Sequence, residues 1–194
     1  MGNIILIALG ANLPSSFGFP ARTIAAALER LSAEGLSVLA ASRFYRSPAF
    51  PAGSGPDYVN ACARIAAPGM AAGAVLDALH RVEGDFGRVR SGRWQARGID
   101  LDLIAFGQEV LPGPEGWRHW AALPPERQLQ EAPQQPIVPH PRMHERGFVL
   151  IPLAEIAPGW RHPVLGQTVA ELADMLPEAE KRALVPLDAP FSED

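Results

Sequence analysis

Apolar positions along the chain change period several times, and each change marks an element. Residues 3–9 form a short apolar, β-branched run closed by Gly10, the pattern of a buried strand. Pro20 suits the first turn of a helix, and Ile24, Leu28 and Leu31 then recur at helical spacing until Gly35. Residues 36–46 read as a second strand, and a Pro-, Gly- and Ser-rich loop follows over 47–56. The next strand, 58–66, alternates: Val59, Ala61, Ala63 and Ile65 on one face, Tyr58, Asn60, Cys62 and Arg64 on the other. Pro68-Gly69 breaks the chain, after which Val75, Leu76, Leu79, Val82 and Phe86 form one helical stripe that ends near Gly84 and Gly87. A fourth strand covers 99–106.

The order strand, helix, strand, strand, helix, strand predicts an α+β fold, specifically a ferredoxin-like sandwich with an antiparallel sheet and extra C-terminal helices. Residues 113–135, rich in Pro and Gln and holding Trp117 and Trp120, read as a surface insertion with a helical turn over 124–130. Further helices are expected over 147–156 and 168–176, the second opened by a capping-box pattern of Thr168 and Glu171. The chain shows no repeat and no second domain. A single domain over 1–185 is expected, and the stretch from Val185 onward, with 186–194 outside the domain, reads as a loose tail.

Composition narrows the class. At 194 residues, 47% apolar and 20% charged, the chain suits one globular domain and fits neither a disordered nor a fibrous protein. No early apolar run approaches the roughly 20 residues that span a bilayer, and residues 4–9 lack the flanks of a signal peptide. Cys62 is the single cysteine, which excludes an internal disulfide and reads as a small buried hydrophobe in a reducing, cytoplasmic setting. A net charge of −4 argues against a general nucleic-acid or membrane-surface binder. Against that acidic balance, Arg88, Arg90, Arg93 and Arg97 fall in one short window. Lys181 is the only lysine, a bias to which no function attaches.

The chemistry concentrates there and just beyond. In the run Ile99-Asp100-Leu101-Asp102-Leu103 the strand period projects both carboxylates from one face and the aliphatic residues from the other. Two carboxylates held that close repel each other unless a cation neutralises them, and Mg²⁺ takes one or two carboxylates plus phosphates and water. Taken alone the pair is equally a solvent-facing strand edge. The arginines change the picture: planar guanidinium forks suit phosphates, and cations plus a metal together neutralise a polyphosphate. Trp94 among them either covers a purine or anchors the loop. His140, fixed between Pro139 and Pro141 and followed by Arg142, His144 and Arg146, is either a phosphate donor or proton carrier, or a structural turn. No GxxxxGK[ST] occurs, which excludes a P-loop kinase by motif.

These segments together resemble the 6-hydroxymethyl-7,8-dihydropterin pyrophosphokinase family of folate biosynthesis. The pieces are Leu9-Gly10-Ala11-Asn12-Leu13, Phe44-Tyr45-Arg46-Ser47-Pro48, Pro56-Asp57-Tyr58-Val59-Asn60-Ala61, the run from Gly87 to Gly107, Pro139-His140-Pro141-Arg142 and Arg146-Gly147-Phe148-Val149-Leu150. Each is weak alone, whereas the ordered series is specific. The resemblance implies transfer of a pyrophosphoryl group from ATP to the pterin hydroxymethyl oxygen, with release of AMP. It implies two Mg²⁺ ions held by Asp100 and Asp102, with Arg88 and Arg97 stabilising the transferring group. Arg90, Arg93, Trp94, His140 and Arg146 are assigned to ATP on the same basis. Ser47, Pro48, Tyr58, Asn60 and Phe148 are assigned to the pterin. No strong general base stands out. The glycine-punctuated segments 47–56 and 84–98 are expected to close over the substrates.

The chain departs from that family in four places, the smallest being Gly10-Ala11-Asn12 where Gly-Ser-Asn is commoner. Gln95-Ala96 stands where the family usually has Gly-Pro, Gln135 stands where an arginine is common, and the segment before His140 is longer than in compact members. Two other classes fit parts of the pattern. A nucleotidyl transferase or cyclase with paired aspartates explains the metal site, and an RNA-binding domain of similar topology explains the element order. The acidic balance and the absence of an aromatic-rich sheet motif disfavour the latter.

Overall fold

A computed structural model describes residues 4–49, 53, 55–87, 98–124, 126–127, 131 and 133–187. In chain order the elements are β1 (Ile5–Ala11), α1 (Pro20–Arg30) with a 3-10 turn (Leu31–Glu34), β2 (Ser37–Ala41), β3 (Tyr45–Ser47), β4 (Tyr58–Ala66), α2 (Ala72–Asp85) and β5 (Asp100–Phe106). They continue with α3 (Pro114–Ala121), α4 (Gly147–Ile156), α5 (Val169–Asp174), α6 (Glu178–Arg182) and β6 (Val185–Pro186). The fold is α+β. Its sheet runs β5-β1-β4-β3-β6, with β2 also on β4, and every pairing is antiparallel.

Strand alternation divides the core in two. Ile5, Ile7 and Leu9 of β1, Ala61, Ala63 and Ile65 of β4, and Leu101 and Leu103 of β5 face α1 and α2, meeting Ile24, Leu31, Val75, Leu79 and Val82. Leu6, Ala8, Cys62, Ile104 and Ala105 face the other way, under Val149, Leu150 and Leu153 of α4 and Val169 and Leu172 of α5. Burying one such Leu or Ile stabilises the fold by roughly 1.5–3 kcal/mol, so both faces need their cover. One extra residue, Ile104, bulges from β5 between the pairs Ile7↔Leu103 and Leu6↔Ala105.

Several expectations are corrected. The single strand expected over 36–46 is two, because the main chain turns away at residues 42–44. Ser42 Oγ accepts from the Cys62 N–H at 2.9 Å, and the Arg43 N–H donates to the Glu155 carboxylate at 2.8 Å instead of to a strand. The insertion forms a helix, α3, earlier than the expected turn, with Pro114 in its first turn. Of that expected turn only 126–127 are described as helical, and its remainder lies partly outside the described residues. The stretch from Val185 is no loose tail at its start: Val185 and Pro186 pair with Arg46 and Tyr45, and the Leu187 N–H donates to the Phe44 carbonyl at 2.8 Å. The capping box of Thr168 and Glu171 forms as expected.

Candidate functional site

Cross-strand register assembles the site. Asp100 pairs with Gly10, Gly10 with Asn60, and Asn60 with Tyr45, so these residues make one row across four strands. Directly opposed residues share a sheet face, here the face covered by α4. Two strand spacings, about 10 Å, separate the backbones of Asp100 and Asn60. Gly10 between them has no side chain, and a Cβ there would come within 3.4 Å of Asn60 Oδ1. Within that row a gap over Gly10 separates the carboxylate on β5 from the buried amide on β4. The next row, Asp102–Ala8–Cys62, lies beside it. Burial pushes the Cys62 thiol far above its usual range, with the nearby Asp102 charge adding to it, so this residue serves as apolar floor.

The segment 139–146 borders the carboxylate end. The His140 N–H donates to the carbonyl of the bulged Ile104 at 2.8 Å, tying the segment to β5. His140 Nδ1 accepts from the Arg142 N–H at 3.1 Å, which leaves the proton of a neutral ring on Nε2. Burial, reinforced by the Arg146 charge, holds its pKa well below the ordinary histidine value, although Asp100 opposes this. His140 is thus a neutral donor at physiological pH. Arg146 Nη1 stands 3.8 Å from Asp102 Oδ2, and its guanidinium lies 5.6 Å from the centroid of the Phe148 ring. Burial lowers the Arg146 pKa, while Asp102 pulls it back up. Asp100, Asp102, His140 and Arg146, four of the residues singled out in sequence, are brought together.

At the amide end, Asn60 Nδ2 donates to Ser47 Oγ at 2.9 Å. Ser47 pairs with Tyr58 in the sheet, and Pro48 follows at the exposed end of β3. Phe148, on the first turn of α4, is partly exposed rather than packed into the core. Asn12 extends the same edge by donating to the Pro56 carbonyl at 3.4 Å. Arg88, Arg90, Arg93, Trp94 and Arg97 lie outside the described residues.

The donor set suits magnesium. Asp100 and Asp102 are half-buried on one face, and among the described residues no third His, Cys, Asp or Glu completes a metal cluster with them. Two carboxylates with room for phosphate oxygens and water match Mg²⁺, whereas a closed zinc site needs four protein ligands.

Sequence reasoning missed three supports. Glu83, only 1% exposed, accepts from the Leu101 N–H at 2.7 Å, between the two aspartates and on the outer edge of β5. Its position on the stripe of Leu79, Val82 and Phe86 was the available signal. Glu155 of α4 accepts from Tyr45 Oη at 2.6 Å and from Arg43 Nε at 2.7 Å, fastening α4 to β3. Trp117 donates to the Pro139 carbonyl at 2.7 Å.

Comparison with known proteins identifies the family. Residues 6–158 match the family model described as 7,8-dihydro-6-hydroxymethylpterin-pyrophosphokinase (HPPK). The chain is 37% identical over 142 residues to a 2-amino-4-hydroxy-6-hydroxymethyldihydropteridine pyrophosphokinase of Synechocystis sp., covering 73% of this chain and 62% of that protein. It is 33% identical to the Haemophilus influenzae enzyme of the same name, covering 87% of this chain and 92% of that one. A crystal structure of Plasmodium falciparum HPPK-DHPS superposes with a TM-score of 0.63 at 13% identity, over 90% of this chain and 45% of that one, a likeness of fold. The chain thus spans less than two thirds of the Synechocystis protein and under half of the Plasmodium chain. On the matched residues and the curated relatives, the chain belongs to the 7,8-dihydro-6-hydroxymethylpterin-pyrophosphokinase family.

Proposed function

We propose that this chain transfers a pyrophosphoryl group from ATP to the hydroxymethyl group of 6-hydroxymethyl-7,8-dihydropterin, releasing AMP, as a step of folate biosynthesis. The observation that carries the reading is the row Asp100–Gly10–Asn60, which sets a carboxylate and an amide on either side of a side-chain gap. The substrate hydroxyl oxygen attacks the β-phosphorus and gives up its proton to water, the bond from that phosphorus to the oxygen bridging the α-phosphate breaks, and AMP departs with the electron pair. Such a reaction depends mainly on positioning and charge neutralisation.

Each residue has a role in this scheme. Asp100 and Asp102 would hold two Mg²⁺ ions, which when bound would supply charge neutralisation and alignment of the triphosphate. Arg88 and Arg97 stabilise the transferring group, and Arg90, Arg93 and Trp94 attend the nucleotide. His140 donates from Nε2 to a phosphate oxygen, a role that its engaged Nδ1 favours over that of a base. Arg146 balances Asp102 and joins the phosphate contacts. Asn60 reads the polar edge of the pterin, Phe148 stacks on its ring, and Ser47, Pro48 and Tyr58 line the pocket. The ferredoxin-like description of the fold belongs to the same reading, supported by the order β5-β1-β4 with β2 and β3 beyond. So does a cytoplasmic enzyme with no nucleic-acid partner, supported by the single cysteine and the net charge of −4. Among the described residues no helix is long and apolar enough to cross a membrane.

Asp100→Ala and Asp102→Ala test the site. Each should lower AMP formation at least about a thousandfold, as expected when a metal-held polyphosphate loses its anchor. Circular dichroism should stay that of the wild type, since both carboxylates lie off the core. Retained turnover in both variants would overturn the metal assignment.

A further inference from the structure

The insertion over 113–135 takes no part in the proposed chemistry, yet its helix α3 reaches the segment that borders the nucleotide end of the site. Trp117 of α3 is 2% exposed. Its Nε1 donates at 2.7 Å to the carbonyl of Pro139, the residue before His140. Its ring lies 6.1 Å, centroid to centroid, from that of His144, two residues before Arg146. One side chain thus grips the 140–146 stretch near both ends. The grip is itself anchored. His162, fully buried, sets its ring edge-on to Trp117 at 4.9 Å, and its Nδ1 accepts from the Val164 and Leu165 N–H groups at 3.2 Å each. Trp160 packs 5.8 Å from His162 and donates from Nε1 to the Gly107 carbonyl at 3.0 Å, just past the end of β5. A continuous path of packed rings and hydrogen bonds therefore runs from β5 through Trp160, His162 and Trp117 to the Pro139 carbonyl before His140 and to the His144 ring before Arg146.

We propose that Trp117 is a positioning residue: through Pro139 and His144 it sets His140 and Arg146 for the triphosphate, which gives the insertion a function. This rests on the pyrophosphokinase reading for the identity of the ligand. The test compares wild type with Trp117→Phe, which keeps most of the ring volume and loses the N–H. Affinity is measured calorimetrically for α,β-methylene-ATP with Mg²⁺, and for the dihydropterin alcohol with that analogue saturating.

Losing one buried hydrogen bond that holds a contact segment should weaken nucleotide binding about 5- to 10-fold. Pterin affinity should stay within about twofold, because Asn60 and Ser47 stand on β4 and β3, whereas the hydrogen bond lost is to Pro139. Unchanged nucleotide affinity in the folded variant, or an equal loss for both ligands, would overturn the proposal. If Trp117→Phe does not unfold cooperatively, Trp117→Tyr is read by the same two affinities. Wild-type turnover is scored separately. Its absence would overturn the function proposed above, while the nucleotide affinities still decide the role of Trp117.

Discussion

His162 is fully buried, and its titration follows from that. Burial, with a smaller contribution from His144, lowers its pKa from 6.5 to about 4. The unfolded chain binds the proton near pH 6.5 and the folded chain does not until about pH 4. Stability from this group is therefore complete above pH 6.5 and is lost as pH falls toward 4, by up to about 3 kcal/mol. His162→Asn keeps an acceptor for the Val164 and Leu165 N–H groups but does not titrate. Urea unfolding at pH 7 and pH 4.5 should show a smaller loss for the variant than for the wild type. Equal losses would mean that carboxylates alone set the acid limit. At this scale legibility in the sequence was uneven. Asp100 and Asp102 could be placed on one face of their strand, and Asn60 with Tyr58 on one face of another, because a strand has a period of two and needs no other information. Glu83 could not, since a lone carboxylate on a helical stripe looks like the stripe's polar margin until the Leu101 N–H is seen above it.

Between elements, the decisive contact is the one from β3 to α4. Glu155 accepts from Tyr45 Oη and from both the Arg43 backbone and its guanidinium. Burial works to raise its pKa, but the bonds from Tyr45 and Arg43 outweigh that and hold it below the usual carboxylate value. The clamp fixes α4, which begins next to Phe148, against the strand that ends in Ser47. Glu155→Ala should cost about 1–3 kcal/mol by leaving the Tyr45 hydroxyl and Arg43 N–H without their acceptor. It should raise KM for the pterin alcohol more than KM for ATP, and a rise shared equally between the substrates would count against the clamp. The break between β2 and β3 that permits this contact was hidden in the sequence. Nothing in the apolar pattern of 36–46 reveals that Ser42 Oγ takes over a ladder bond or that the Arg43 N–H turns to a residue more than a hundred positions away.

For the molecule as a whole, local periodicity settled most of the architecture, because both helices of one face and all three long strands are patterned along their own sequence. What escaped was set by partners distant in sequence: the two-residue strand β6, which exists only against β3, and the seat of Trp117 against Pro139 and His162. The gap at Gly10 escaped for the same reason, as register, not composition, puts that glycine between Asp100 and Asn60. We propose that one sheet face holds ATP at the end of Asp100 and Asp102 and a pterin at the end of Asn60, for attack at the β-phosphorus. Phosphorus NMR of the wild-type protein with ATP, Mg²⁺ and 6-hydroxymethyl-7,8-dihydropterin tests it most directly. AMP and a pterin diphosphate ester should appear in equal amounts, and neither without the pterin. ADP with a pterin monophosphate, or inorganic pyrophosphate released in the absence of pterin, would contradict it.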